Sequence, residues 1–253
     1  MTVLTGKVAL VTGSSRGIGA AIARLFAKEG AAVAVHGRDA AALAAVRVDI
    51  ERGGGRAFDV VADTTKFDEI VAMRRAIESE LGPIDVLVAN AGASLTSPHL
   101  SLEDIDEADW RRSVDANLTA TFLTLKAFLP GMKERRRGTI ITMSSAAARR
   151  PTAMSPIPYT AAKAGIQLLT QMVAAQAGPF GIRVNCIAPE TIITERTEVQ
   201  IPAAVKTKLI DEHPIRRLGT TADVAEAALF LASDAAAWVS GVVLDVAGGA
   251  VLR

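Results

Sequence analysis

Tyr159 is the sole tyrosine of the chain, and it stands four residues before Lys163 in the run S-P-I-P-Y-T-A-A-K-A-G, residues 155–165. Residues four apart share one face of a helix. Pro158 suits an early helical position, which puts both side chains in the first two turns, pointing the same way. A phenol has a pKa near ~10 in isolation and is a poor base at neutrality. An ammonium within about 4–6 Å favours the phenolate and lowers that value. The pair thus has the makings of an acid/base whose proton moves near working pH. The same spacing also fits an aromatic ring packed beside a lysine stem. Its meaning depends on what surrounds it.

A second group of residues suits phosphate. In T-G-S-S-R-G-I-G, residues 12–19, glycines at 13, 17 and 19 follow a short apolar run. They let the backbone turn sharply, approach a ligand closely and pack a helix against a strand. A helix beginning near Gly17 would present free N–H groups and a positive dipole end to a pyrophosphate. The spacing differs from the G-x-G-x-x-G of the commonest dinucleotide fold. After the next apolar run comes V-A-V-H-G-R-D, residues 33–39. His36 stands where an acid would select NAD, while Arg38 and Arg16 suit the 2′-phosphate of NADP. NADP(H) is therefore the expected cofactor, preferred over NAD(H). Asp39 precedes A-A-A-L-A-A-V and reads as a helix N-cap rather than a ribose ligand.

These groups need a scaffold, and the chain predicts one. Apolar runs at Lys7–Thr12, Ala32–His36, Ala57–Val61, Ile84–Ala89, Thr139–Met143, Arg183–Ile187 and Val242–Val246 read as buried strands. Helical patterns fill 40–52, 66–81, 101–133, 157–179 and 221–233, with another after the glycine turn, where Ile18, Ile22, Leu25 and Phe26 fall at helical spacing. Thr220 to Asp223 has the form of a capping box. Strands of low internal polarity, each followed by an amphipathic helix, predict an α/β fold with a parallel seven-stranded sheet covered on both faces. There is no composition break or repeat, so residues 1–253 are expected to form one doubly wound (Rossmann) domain. The least patterned stretch, about 190–219, is placed to form a substrate-loop lid.

Composition excludes several alternatives. The chain has 253 residues, half of them apolar, and a formal charge of +1. That balance offers no basic surface for a phosphate backbone, so nucleic acid is not an expected partner. No run reaches the ~20 apolar residues of a membrane span, and the start lacks the h-region of a signal peptide. Cys186 is the single cysteine, and Cys-His metal spacing is absent. A soluble, cytoplasmic protein without a metal is expected.

The combined motifs resemble the short-chain dehydrogenase/reductase family over nearly the whole chain. T-G-x-x-x-G-x-G at 12–19 is similar to its cofactor turn, and A-N-A-G at 89–92 to its N-N-A-G, with Ala89 in place of the first Asn. V-D-A-N at 114–117, M-S-S at 143–145 and Y-T-A-A-K at 159–163 resemble the segments that carry its catalytic Asn, Ser, Tyr and Lys. The resemblance implies that Tyr159 exchanges a proton with a substrate oxygen and that Ser145 steadies that oxygen. Lys163 would lower the phenol pKa and hold the cofactor ribose, and Asn117 would hold a relay water. Ser144 is the competing serine; Ser145 aligns better, although it stands one residue further from Tyr159 than is common. Asn117 also lies at the edge of a helical stripe of Val114, Leu118, Thr121 and Leu125, where a polar residue needs a reason.

By the same resemblance the cofactor would meet Gly13, Ser15, Arg16, Gly17, Ile18 and Gly19 in the turn, and Arg38 beyond the second strand. Asp63 and Thr64 would meet the adenine edge, Asn90, Ala91 and Gly92 the adjacent ribose, and Pro189, Ile192 and Thr194 the nicotinamide. Glu190 departs from the family's Pro-Gly at the nicotinamide pocket, and Ala247 from its acid before Gly-Gly.

The implied activity is an NADP(H)-dependent oxidoreductase interconverting a small carbonyl and a secondary alcohol. One alternative is a 3-oxoacyl–acyl-carrier-protein reductase, with K-E-R-R-R at 133–137 meeting an acidic carrier, although Phe180 stands where a matching basic residue would be. Others are a cofactor-sensing protein without turnover and a methyltransferase on a similar sheet, which would leave the Tyr-Lys pair unexplained. A homotetramer, or a homodimer, is expected. One contact would use Phe122, Leu125, Phe128 and Leu129 with Leu168, Leu169, Met172 and Val173. The other would use Ala227, Ala228, Leu231, Trp238 and Val242 to Leu244.

Overall fold

A computed structural model describes residues 2–93, 101–150 and 155–252. The chain first alternates β1 (Val8–Val11), α1 (Gly17–Lys28), β2 (Ala32–Gly37), α2 (Ala40–Arg52), β3 (Arg56–Val61) and α3 (Phe67–Glu80). It continues through β4 (Val86–Ala89), α4 (Glu107–Val114), α5 (Ala120–Arg135), β5 (Gly138–Met143), α6 (Ile157–Ala177) and β6 (Ile182–Pro189). The last part holds β7 (Ile192–Ile193), α7 (Glu195–Gln200), α8 (Ala203–Glu212), β8 (Gly219–Thr220), α9 (Thr221–Ala232) and β9 (Val243–Val246). All seven strands expected from the apolar runs form, within a few residues of the expected ends.

They build one parallel sheet in the order β3-β2-β1-β4-β5-β6-β9. β1 is buried along its whole length, and its side chains alternate between two cores. Ala9 and Val11 join a cluster with Ile22 and Phe26 of α1, Leu43 of α2 and Leu231 of α9. Val8 and Leu10 join the other, with Ile70 and Ile77 of α3, Phe128 of α5 and Ala177 of α6. Each large side chain so buried contributes roughly 1.5–3 kcal/mol. From β1 the chain moves outward through β2 and β3, then returns to pair β4 on the other flank of β1. That reversal opens a crevice beyond the carboxyl ends of β1 and β4, where open α/β sheets take their ligands.

Two expectations need correction. The pattern at 101–133 is not one helix: α4 ends at Val114, a π turn follows over Asp115–Thr119, and α5 resumes at Ala120. Periodicity cannot register the extra residue that widens one turn, and Asn117 lies in that turn. Segment 190–219 is not unpatterned either, since it folds into α7, α8 and the small sheet of β7 and β8. The two faces assigned to assembly also shrink. Leu125, Phe128, Ala228 and Leu231 belong to the subunit's own cores, while Phe122, Leu168, Met172, Trp238 and Val242 are exposed. Among the described residues no helix is long and apolar enough to cross a membrane.

Candidate active site

The crevice begins at the glycine turn. Gly13 (φ +65°) and Gly17 (φ +56°) occupy the left-handed region, where a side chain would be strained. A Cβ on Gly19 would stand 2.2 Å from the Gly13 carbonyl oxygen, so that position admits hydrogen alone. Arg16 occupies the N-cap of α1 without capping an amide through its side chain. The first-turn N–H groups therefore face the crevice as anion donors, which fits a pyrophosphate. Ser15 and Ile18, both half-buried, complete the turn.

The turn is braced from below. Ser14 Oγ donates to the Val11 carbonyl (2.7 Å) and accepts from the His36 N–H (2.9 Å). Asn90 Nδ2 donates to the carbonyls of Thr12 (2.9 Å) and Gly13 (3.0 Å), and the Ala91 N–H donates to Thr12 Oγ1 (3.0 Å). Asn90, expected at a ribose, thus spends its amide on holding β1 and β4 together at the turn.

His36 is a correction. It is 2% exposed; its Nδ1 accepts from the Gly13 N–H (3.2 Å), and its Nε2 meets the Ala62 carbonyl at 3.0 Å. Burial pushes its pKa below the ordinary value, against the Ala62 hydrogen bond. The neutral ring suits the lone pair that Gly13 needs. His36, which stands where an acid would select NAD, therefore supports the turn. Arg38, the first residue past β2, is exposed and forms no salt bridge among the described residues. Arg16 instead pairs with Asp39 at 2.7 Å, while Asp39 accepts the Ala42 N–H as the expected N-cap of α2. Beyond β3, Asp63 accepts from the N–H (2.9 Å) and hydroxyl (2.8 Å) of Thr65, and the Thr65 N–H above all holds its pKa down. Thr64 beside it is buried.

At the end of β5 the two serines part roles. Ser144 is buried, donates to the Lys163 carbonyl (2.8 Å) and accepts from Gln167 Nε2 (2.9 Å), tying β5 to α6. Ser145 is half-buried and accepts the Ala147 N–H (3.2 Å), and its hydroxyl pulls the Tyr159 pKa down against burial. Only Ser145 is available to a ligand beside Tyr159.

Tyr159 and Lys163 occupy the first two turns of α6, as their spacing requires. Lys163 Nζ lies 5.6 Å from the ring centroid and donates to the Met143 carbonyl at 2.9 Å. Burial pulls its pKa down to about 8. The expected lowering of the phenol by this ammonium is not what the folded chain shows. Burial pushes Tyr159 above its ordinary value, the Ser145 hydrogen bond offsets part of this, and the charge of Glu190 adds to it. The Tyr159 phenol therefore keeps its proton at neutral pH.

Asn117 is fully buried in the π turn. Its Nδ2 donates to the carbonyls of Ser113 (2.9 Å) and Ala93 (2.9 Å), and its Oδ1 accepts the Ala93 N–H (3.2 Å). The side chain thus fixes the segment after β4 that carries Gly92. A Cβ on Gly92 would lie 2.7 Å from Asn117 Oδ1 and 3.2 Å from Lys163 Nζ, so glycine is what lets these groups converge.

The loop after β6 closes the crevice from above. Pro189 ends the strand, the Glu190 N–H donates to the Val246 carbonyl (3.1 Å), and Ile192 pairs with Gly219. Thr194 caps α7 in a reciprocal capping box with Thr197. Its Cγ2 comes within 3.4 Å of where a Cβ on Gly17 would stand, so this loop meets the glycine turn. Sequence reading missed the bracing roles of Ser14 and Gln167 and weighed Ser144 only as the competitor of Ser145, because the His36, Lys163 and Ser144 partners that define these roles lie 19 to 23 residues away.

Comparison with known proteins shows the family to which this chain is related. A family model described as enoyl-(acyl carrier protein) reductase matches residues 13–251. The 7alpha-hydroxysteroid dehydrogenase of Escherichia coli strain K12 is 39% identical over 248 residues, covering 98% of this chain and 95% of that protein. The crystal structure of a 3-oxoacyl-[acyl-carrier protein] reductase with bound NAD from Brucella melitensis superposes with a TM-score of 0.91 at 36% identity, covering 100% of this chain and 94% of that one. A 7 alpha-hydroxysteroid dehydrogenase complexed with NADH and 7-oxo glycochenodeoxycholic acid gives 0.93 at 38% identity, covering 99% and 96%.

Proposed function

Because the chain belongs to the short-chain dehydrogenase/reductase family, we propose that it is an NADP(H)-dependent oxidoreductase interconverting a ketone or aldehyde with an alcohol. One observation carries the reading: α6 sets Tyr159 and Lys163 one turn apart with Lys163 buried against Gly92, and the Ser145 hydroxyl favours the ionised phenol of Tyr159. Ser145 Oγ and Tyr159 Oη would share the substrate oxygen as hydrogen-bond partners. Tyr159 gives that oxygen its proton in reduction and takes it back in oxidation. Ser145 steadies the charge that develops there. The Lys163 ammonium, held by the Met143 carbonyl at the edge of the crevice, holds the ribose hydroxyls. Gly13, Gly17 and the first turn of α1 receive the pyrophosphate. When bound, a nicotinamide would supply or accept the hydride at the substrate carbon. Consumption of NADPH with a panel of ketones tests the assignment, and absence of turnover across neutral, cyclic and polyol substrates would withdraw it.

The preference for NADP(H) rests on Arg38, which forms no salt bridge among the described residues, whereas Arg16 is held by Asp39. Wild type should bind NADPH more tightly than NADH. Arg38→Ala should shrink the difference by about 1–3 kcal/mol, the scale of a charge-assisted contact. Equal affinity of wild type for both cofactors would refute this part.

The substrate reads as a small carbonyl rather than a carrier-bound acyl chain, because the basic run at 133–137 serves the fold. Arg135 donates to the Ile84 carbonyl, Arg136 to the Pro179 carbonyl, Arg137 pairs with Asp85, and Lys133 stacks on Phe180 at 4.9 Å. For assembly, the exposed Phe122, Leu168 and Met172 on one side and Trp238 and Val242 on another suit two contacts between copies. Light scattering at micromolar concentration should report a mass near four chains; a stable monomer would remove the proposal.

A further inference from the structure

Behind the loop that follows β6 lies a cavity of about 470 Å³, whose polar lining is Glu190, Thr191, His213, Arg217, Asp223 and Asp245. Most of these groups already have partners. Arg217 grips Asp223 through two 2.7 Å contacts, and Arg149 holds Asp245 at 3.0 Å. Glu190 and His213 are different. The half-buried Glu190 carboxylate accepts a hydrogen bond from the Thr191 hydroxyl at 3.3 Å and forms no salt bridge among the described residues. His213 is 4% exposed; its Nδ1 is engaged with the Leu209 carbonyl, and its buried Nε2 has no partner among the described residues. A proton on Nδ1 leaves Nε2 as a lone pair. Both groups are therefore acceptors without a strong donor, a state that costs free energy until a ligand or water supplies one.

Glu190 connects this cavity to the chemistry by its place in the fold: it lines the cavity and follows β6, whose Ile187 pairs with Met143 two residues before Ser145. It also follows Pro189 directly, at the same sheet edge as Ser145. We infer that the cavity receives the far end of the substrate and selects hydrogen-bond donors there. The substrates are then alcohols or ketones that carry a second hydroxyl or an ammonium group. A carboxylate at that end is rejected, since Glu190 repels it and Arg217 is already neutralised by Asp223. The inference rests on the oxidoreductase reading above and adds the polarity of its substrate.

Three probes built on one ring test it: 3-aminocyclohexanol, cyclohexane-1,3-diol and 3-hydroxycyclohexanecarboxylate. Their binding to the NADPH-saturated protein is measured by calorimetry, and their turnover with NADP+ separately. The amino alcohol should bind at least about tenfold more tightly than the carboxylate, with the diol between. Glu190→Gln should bring the two extremes within about threefold, and Glu190→Lys should invert the order. His213→Phe should weaken the diol while keeping the amino alcohol ahead of the carboxylate. Equal affinities, no binding of any probe, or an order unchanged in Glu190→Gln would overturn the inference. The expected binding order without turnover of any probe would count against the oxidoreductase reading alone.

Discussion

Tyr159→Phe is expected to lower turnover by on the order of 10²–10⁴-fold in both directions while NADPH affinity stays within about twofold. The substitution removes one oxygen and leaves the ring, so the half-buried packing of α6 survives. Lys163 keeps its bond to the Met143 carbonyl, because that contact does not involve the phenol. What disappears is the proton that the substrate oxygen must gain or lose. The same residue sets the pH dependence. Burial and the Glu190 charge raise the phenol pKa above its ordinary value, outweighing the Ser145 hydrogen bond. Reduction needs the protonated phenol and is supported at neutral pH. Oxidation needs the phenolate, so its rate should climb as pH rises toward the raised value, and Glu190→Gln should move that climb to lower pH. Rates of both half-reactions across pH check this. A Tyr159→Phe variant that still turns over would remove the tyrosine from its role.

Lys163→Met is expected to damage binding and turnover together, because one ammonium serves two purposes. NADPH affinity should fall by about 1.5–3 kcal/mol, the scale of hydrogen bonds to a charged group. Turnover should fall at least as far as in Tyr159→Phe. The methionine keeps most of the buried stem, so stability should change less than function, and thermal unfolding would show it. Since burial holds the Lys163 pKa at about 8, the ammonium is present below that pH and is lost as pH rises through it. Wild-type affinity for NADPH should decline over the same interval, and that decline should be missing from Lys163→Met. Intact NADPH affinity in the variant would show that Lys163 does not reach the cofactor.

Much of this site was legible before any coordinates. The Tyr159–Lys163 pair needs only helical periodicity, and the glycines at 13, 17 and 19 need only the geometry of a strand turning into a helix. Asp39 as an N-cap and the capping box at Thr220 follow from residue type and spacing within a few positions. The reading failed where a side chain's partner is far along the chain. Whether His36 turns toward a ribose or beneath Gly13 depends on how β1 and β2 lie side by side. Likewise Arg16 meets Asp39 only because two β–α turns are neighbours in space.

The sequence by itself determined the alternation of buried strands and amphipathic helices, hence the parallel sheet, and the residue types gathered at its carboxyl edge. These are local properties: an apolar run, a period, a residue without a side chain. The tertiary structure decided the use of each group. It made Ser144 a strut and left Ser145 to the Tyr159 phenol. It put Asn117 in a widened turn against Gly92 and buried Lys163 enough to shift its proton. It also set Glu190 and the unpartnered nitrogen of His213 around one cavity. Such decisions come from strand register and helix packing, which bring together groups far apart in the chain. They set burial and field at each atom, and burial and field are what shift a pKa.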